Sequence, residues 1–218
     1  MPRHPQNHNL NIHDSRTFNG LPLMYEKGPF IREHLQRMHG VMLQALNDYA
    51  QVFAFRVDLK LPASGMLPGY AFTNNVIRRF LASFEAKIEH NRSMAKRSNR
   101  YAHDSKVRYA WAREVSGSGR PHYHLVILLN RSSFHKLGYF RSERGNIFSR
   151  LEEAWASALR LEKNAIAGLV NIPDNPTYEL TRRDMEQQKA FFHRASYLCK
   201  VATKEYGDRH HSFGASRG

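Results

Sequence analysis

Two histidines, His122 and His124, stand two residues apart in PHYHLVILLN. A strand repeats every two residues, so both imidazoles would leave the backbone in the same direction. Glu114 closes the preceding stretch VRYAWAREV, ahead of the turn SGSGRP. In an even hairpin register it lies opposite His122 or diagonal to it, within reach of a shared ion. Two imidazoles and one carboxylate with open positions suit Mg²⁺, Mn²⁺ or Fe²⁺. A structural zinc site would call for cysteine ligands, although catalytic zinc accepts the same donor set. The spacing alone is weak, because 13 histidines in 218 residues give about 0.8 such pairs by chance. Taken by itself it fits a polar strand face as well as a metal site.

A second group lies in SYLCKVATK. Read as part of a helix over 184–205, it puts Phe191, Phe192, Ala195, Leu198, Cys199 and Ala202 on one side and His193, Tyr197, Lys200 and Lys204 on the other. Tyr197 then sits one turn from Lys200 and two from Lys204, beside cations that favour phosphate. The same pattern also fits a surface tyrosine between two lysines that complement a helix C-terminus. A phenol, with a pKa near 10, needs a base or nearby positive charge to act as a nucleophile. Cys199 falls on the apolar side and reads as core rather than as a thiol nucleophile. SGSG joins two strands, so it reads as a hairpin turn and not a phosphate loop.

Several elements must position these groups. Apolar residues Ile31, Leu35, Met38, Met42, Leu43 and Leu46 recur at helical spacing between Gly28 and Tyr49. QVFAFRVDLKLP alternates as a strand, with Phe53, Phe55, Val57 and Leu59 on one face and Arg56, Asp58 and Lys60 on the other. A long helix capped near Thr73 runs to about Arg97, with Val76, Phe80, Phe84 and Ile88 as its stripe. The hairpin strands follow, then a helix over 146–161, a short strand in AIAGLVNIP, a loop in DNPTYELTRRD and the last helix. Tyr109, Trp111 and Tyr123 share the bulky face of the hairpin, whereas the histidines and Glu114 share the other. A strand exposing Arg56, Asp58 and Lys60 is poor core design, which marks that face as a working surface.

The order β-α-β-β-α-β-α predicts an α+β domain, a ferredoxin-like antiparallel sheet with helices mainly on one face, plus an N-terminal helix and a C-terminal helix. Residues 1–20 read as a flexible arm, 21–206 as one domain and 207–218 as a tail with solvated His210 and His211.

With 33 Lys+Arg against 19 Asp+Glu, the chain carries +14. That excess points to a polyanion, most simply nucleic acid. Arg78, Arg79, Arg92, Lys96, Arg97 and Arg100 on and after the long helix are candidates for backbone phosphates, although each also fits a solvated charged face. A hydrophobic share of 41% excludes wholesale disorder. A mean hydropathy of −0.61 excludes a membrane span. The N-terminus lacks the apolar stretch of a secretory signal, and the single cysteine suits the cytoplasm.

With the H-hydrophobic-H pair, the upstream Glu and the later Y-x-x-K together, the chain resembles the HUH endonucleases that initiate rolling-circle replication. It looks closest to the inovirus gene-2 replication proteins, the YagK/YfjJ C-terminal domain type of prophages and mobile islands. The similar stretches include KGPFIREHLQRMH, VFAFRVDLKLP, VRYAWAREVSGSGRPHYHLVILLN, LEEAWASAL, AGLVNIPDNPTYEL and SYLCKVATKEYGD, across most of residues 20–218. The resemblance implies a divalent metal, Mg²⁺ or Mn²⁺, on His122, His124 and Glu114, and a catalytic pair of Tyr197 as nucleophile with Lys200 beside it. FAFRVDLKL takes the place of the first motif without its usual Thr-rich pattern, and Arg56, Asp58 and Lys204 are accessory candidates. Tyr206 is a weak candidate for a second tyrosine. The implied substrate is single-stranded DNA at an origin or hairpin, with unwinding left to a host helicase in a bacterial cytoplasm. Two other functions stay open: a non-catalytic DNA- or RNA-binding regulator on the same sheet, and a metal-dependent RNase or hydrolase in which Tyr197 is incidental.

Overall fold

Strand alternation builds the middle of the molecule. The computed structural model describes residues 2–115, 119–138, 145–204 and 206–217. The N-terminal region contains β1 (Arg3–His4), β2 (Asn7–His13), β3 (Thr17–Phe18), β4 (Leu21–Pro22) and β5 (Phe30–Ile31), followed by α1 (Arg32–Asp48). The centre contains β6 (Gln51–Leu59), α2 (Asn74–Ser98), β7 (Arg108–Val115), β8 (Pro121–Asn130) and α3 (Ile147–Leu159). Then come β9 (Val170–Asn171), β10 (Thr177–Thr181), α4 (Met185–Ser196) and β11 (Phe213–Ala215). The result is a mixed α+β fold with four α-helices among the described residues.

The main sheet runs β10-β6-β8-β7-β11, with β9 also on β6, and every pairing in it is antiparallel. Phe53, Phe55, Val57, Leu59, Trp111, Tyr123, Leu125 and Ile127 face α2 and α3 in one core. Thr73 caps α2 by accepting a hydrogen bond from the Asn75 amide at 3.2 Å. Its stripe Val76, Phe80, Phe84 and Ile88 is fully buried. Asn146 and Ser149 form a reciprocal capping box on α3.

The opposite face is covered as well, which corrects the expectation of helices mainly on one side. Val52, Ala54, Ala110, Ala112, Val126 and Leu128 pack with α1 and α4 residues in a second core. Small residues on the sheet let those helices approach closely. Leu43, expected inside α1, is 43% exposed.

The expected N-terminal arm is ordered and paired: β2 aligns with β5, and β3–β4 form a tight hairpin. Asn19 and Gly20 both take positive φ, as a two-residue hairpin turn needs. The expected loop DNPTYELTRRD contains β10, whose Leu180 is buried while Thr177 and Glu179 face out. The strand expected in AIAGLVNIP shortens to Val170–Asn171. The tail is not free, since β11 pairs with β7 and His211 exchanges hydrogen bonds with Asn74. The expected turn SGSGRP lies partly outside the described residues. Among the described residues no helix is long and apolar enough to cross a membrane.

The docked tail depends on Gly214, where a Cβ would come within 2.4 Å of the Trp111 ring. Gly214→Ala should cost about 1–3 kcal/mol of stability through overpacking. Urea denaturation should therefore show a lower midpoint with an unchanged slope; an unshifted midpoint would show that β11 does not hold the sheet edge.

Candidate metal centre

β-Pairing brings the polar residues together at one end of the second face. Glu114 on β7 is directly opposite His122 on β8, and Asp58 on β6 is directly opposite His124. The Nε2 atoms of His122 and His124 each stand 3.5 Å from Glu114 Oε2. One ligand atom from each of the three residues lies within 4.8 Å of the other two. An ion about 2.1 Å from each donor needs donors roughly 3–3.5 Å apart, so these residues fit a divalent cation with little adjustment.

His124 is fixed from behind. Its Nδ1 is 2.7 Å from Asp58 Oδ1, and Arg56 Nε donates to the same oxygen at 3.2 Å. This arrangement keeps the proton on Nδ1 and turns Nε2 inward, as a carboxylate does behind a metal-binding imidazole. Nε2 is buried and has no hydrogen-bond partner among the described residues. A buried orphan acceptor aimed at a carboxylate and a second imidazole is what a ligand position requires.

The electrostatics follow from burial and pairing. Burial pushes the Glu114 carboxyl up, but the adjoining His122 and His124 imidazoles and the charge of Lys204 outweigh it and hold the group far below the usual range. Burial lowers His124, yet its bond to Asp58 and the Glu114 carboxylate beside it leave it raised above 6.5. Lys200 Nζ is 3.1 Å and Lys204 Nζ 3.7 Å from Glu114 Oε1. Lys204 is fully enclosed, and burial pushes its ammonium down to about 8. Arg56, Lys200 and Lys204 face Asp58 and Glu114, so with neutral imidazoles one positive charge is left in excess.

Tyr197 reaches this centre by a different route from the expected helix face. α4 ends at Ser196, and Tyr197–Cys199 form a 3-10 turn. Ser196 Oγ donates back to the His193 carbonyl at 2.7 Å and accepts from the Met24 amide at 2.9 Å, which draws the chain out of the helix. Lys200 is extended and bridges Phe30, while the Val201 amide donates to the Pro29 carbonyl at 2.8 Å. The Tyr197 ring lies edge-on to His124, 5.4 Å between centroids. Arg56 and Lys200 stand over that ring at 4.8 Å and 3.8 Å. The half-buried Tyr197 therefore sits against the candidate metal-ligand group, flanked by two cations.

Other candidates fall elsewhere. Cys199 is fully buried and its thiol is pushed up by burial, as expected of core. Tyr206 packs against His4, 4.7 Å between centroids. Arg92, Lys96, Arg97 and Arg100 belong to the far end of the sheet. Arg92 bonds the His103 carbonyl, and Asp104 holds Asn130 at the end of β8, about 27 Å along the strand from His122. A cleft of about 990 Å³ there is lined by Arg92, Lys96, Arg97 and Lys106 but also by Asp48, Glu85, Glu89 and Asp104. Arg78 and Arg79 lie near the start of α2, closer to the metal end.

The sequence reading missed the 3-10 turn and the Phe30–Lys200 bridge. Ser196, able to bond back to its own helix, was the available signal. Asp58 was named only as accessory because its pairing with His124 spans 66 residues and no hairpin announces it.

An antiparallel sheet with a Glu/His/His group at one end defines an α+β protein with a candidate metal site. A family model for the YagK/YfjJ C-terminal domain matches residues 13–216, and the chain belongs to that family. It is 31% identical to the uncharacterized protein YagK of Escherichia coli K12, over 87% of this chain and 95% of that protein. It is 29% identical to the uncharacterized protein YfjJ of the same strain, over 88% of this chain and 98% of that protein. No solved structure matches the chain.

Titration with Mn²⁺ should show one site that His124→Ala abolishes and Asp58→Asn weakens about 10–100-fold. Because a proton competes for the raised His124 imidazole, affinity should fall as pH drops through its pKa, up to about tenfold per unit for each proton displaced. Affinity that stays level from pH 8 to pH 5.5 would exclude His124 as a ligand.

Proposed function

We propose that this protein is a metal-dependent, site-specific single-stranded DNA nicking and rejoining enzyme of the HUH type, acting as a rolling-circle replication initiator does. The observation that carries this reading is Tyr197, set edge-on to His124 beside the Glu/His/His group. The order β10-β6-β8-β7 supports it, being the 4-1-3-2 arrangement of a ferredoxin-like β-α-β-β-α-β unit.

In this reading Glu114, His122 and His124 hold Mg²⁺ or Mn²⁺. The ion, when bound, polarises the scissile phosphate and offsets charge in the transition state. Tyr197 Oη attacks phosphorus, the P–O3′ bond breaks, the phenol loses its proton and the departing O3′ takes one up. The products are a 5′-phosphotyrosine and a free 3′-OH. Lys200 and Arg56, over the phenol ring, offset the negative charge that gathers on Tyr197 Oη and the phosphate as the new bond forms. Asp58 orients His124, while Lys200 and Lys204 keep Glu114 ionised. The covalent link conserves the energy of the broken bond, so a 3′-OH can reverse the step and rejoin strands. Unwinding falls to a host helicase in a bacterial cytoplasm.

One observation favours the alternative, a non-catalytic DNA- or RNA-binding regulator. Lys200 and Lys204 already balance Glu114 without any ion.

Incubated with Mn²⁺ and single-stranded origin DNA from its own genome, the protein should yield a DNA-linked species on a denaturing gel. Tyr197→Phe should yield none, and Lys200→Met should slow adduct formation by roughly 10²–10³-fold. No adduct on any such substrate, or an equal yield from Tyr197→Phe, rejects the mechanism and leaves the regulator.

A further inference from the structure

A second basic surface lies at the metal end of the sheet, on the rim facing α2. The 3-10 segment Gly69–Phe72 puts two aromatic rings there. Arg79 stands over Tyr70 at 4.9 Å and Arg160 over the same ring at 5.6 Å. Arg120 stands over Phe72 at 5.8 Å and ties itself to the Pro62 carbonyl at 2.7 Å. Phe72 is 37% exposed, high for a phenylalanine. Arg79 and Arg160 are exposed and form no ion pair among the described residues. Arg113, which donates to the Phe72 carbonyl, is matched by Asp208 at 2.7 Å. The far cleft pairs its cations with carboxylates, whereas Arg79 and Arg160 meet none among the described residues.

Position connects the rim to the reacting centre. Arg120 precedes His122 by two residues, about 7 Å along the chain, or one to two nucleotides of a strand. Tyr123, between the two metal-ligand histidines, donates its hydroxyl to the Thr73 carbonyl at 3.2 Å, next to Phe72. This surface therefore adjoins the end of β8 that carries the two histidines.

We infer that Tyr70 and Phe72, with Arg79, Arg120 and Arg160, form a landing platform for the single-stranded DNA that flanks the reacting phosphate. The exposed ring of Phe72 stacks one base. Tyr70 holds Arg79 and Arg160 flat, so that their planes take phosphates or stack on a second base. Unpaired bases are required, because a duplex hides its π-faces. The inference rests on the nicking reading for its substrate, but not on catalysis.

The test is anisotropy of a fluorescein-labelled 15-mer of oligodeoxythymidine with the full chain in EDTA, so that metal chemistry plays no part. Phe72→Ala should weaken binding by about 5–100-fold, and Phe72→Trp should retain it. Arg79→Gln and Arg160→Asn should each weaken it and lower the salt slope by about 0.7; asparagine keeps the left-handed backbone of position 160. Arg92→Gln, at the far end, should change little. If Phe72→Ala fails to fold, the tryptophan and arginine variants decide. Wild-type affinity in Phe72→Ala, equal affinity for a duplex 15-mer, or tighter binding of the matching RNA overturns the platform. Adduct formation with unaffected Phe72→Ala binding removes the platform and keeps the enzyme. Weakened binding in a protein that never forms an adduct keeps the platform and removes the enzyme.

Discussion

The Glu114 carboxylate is the constraint around which the rest is arranged. It is 4% exposed, and a buried charge without partners costs several kcal/mol. Its partners come from two separate parts of the chain: His122 and His124 on β8, and Lys200 and Lys204 beyond α4. Lys200 is in turn held by the bridge to Phe30, so the N-terminal strands share in fixing the site. Neutralising Glu114 would strand an enclosed lysine as well as two imidazoles. The cost of burying this one charge therefore couples sheet, C-terminal turn and N-terminal region.

The sheet's second face changes character along its strands. Ala54, Ala110 and Ala112 let α1 and α4 close on one half, and Arg56, Asp58, Glu114, His122 and His124 occupy the next positions in the same alternation. The apolar half supplies a rigid anchor for the polar half. Because β6, β8 and β7 are neighbours, a slip of one residue in either pairing would send the ligands into the α2 core. The hydrophobic alternation on the other face, with Phe53, Phe55, Val57, Leu59 and Leu125, forbids that slip. Thus the larger core fixes the registration of the site without touching it.

What was legible in the sequence follows from range. Local signals were reliable: the alternation of β6 and β8, the Thr73 cap, the apolar stripe of α2 and the pairing of Glu114 with His122 across a hairpin. Contacts between distant segments were not. Nothing local shows that β6 pairs with β8, so Asp58 could not be assigned to His124. The short strands β9 to β11 are set by edge pairing rather than by their own pattern, and Pro173, Asp174, Asn175 and Pro176 masked β10 as loop. The N-terminal region carried a usable signal in Asn19-Gly20, obscured by the polar residues around it. Helix periodicity placed Tyr197 beside Lys200 correctly but for the wrong reason, since Ser196 and the pull of Phe30 end the helix first.

The charge of +14 is informative only where it is uncompensated. Counting cations along α2 favoured its C-terminal half, yet there Lys96 pairs with Asp104 and the cleft holds as many carboxylates as basic side chains. A balanced groove has little net attraction for a polyanion, and at physiological salt its residual field decays within about 8 Å. At the metal end one positive charge remains in excess around Glu114 and Asp58, and a divalent ion would add two more. Arg79 and Arg160, without an ion pair among the described residues, stand on the adjoining rim. The field that a phosphate chain would follow therefore points towards Tyr197, and the distribution of opposing charge, more than the number of basic residues, sets that direction.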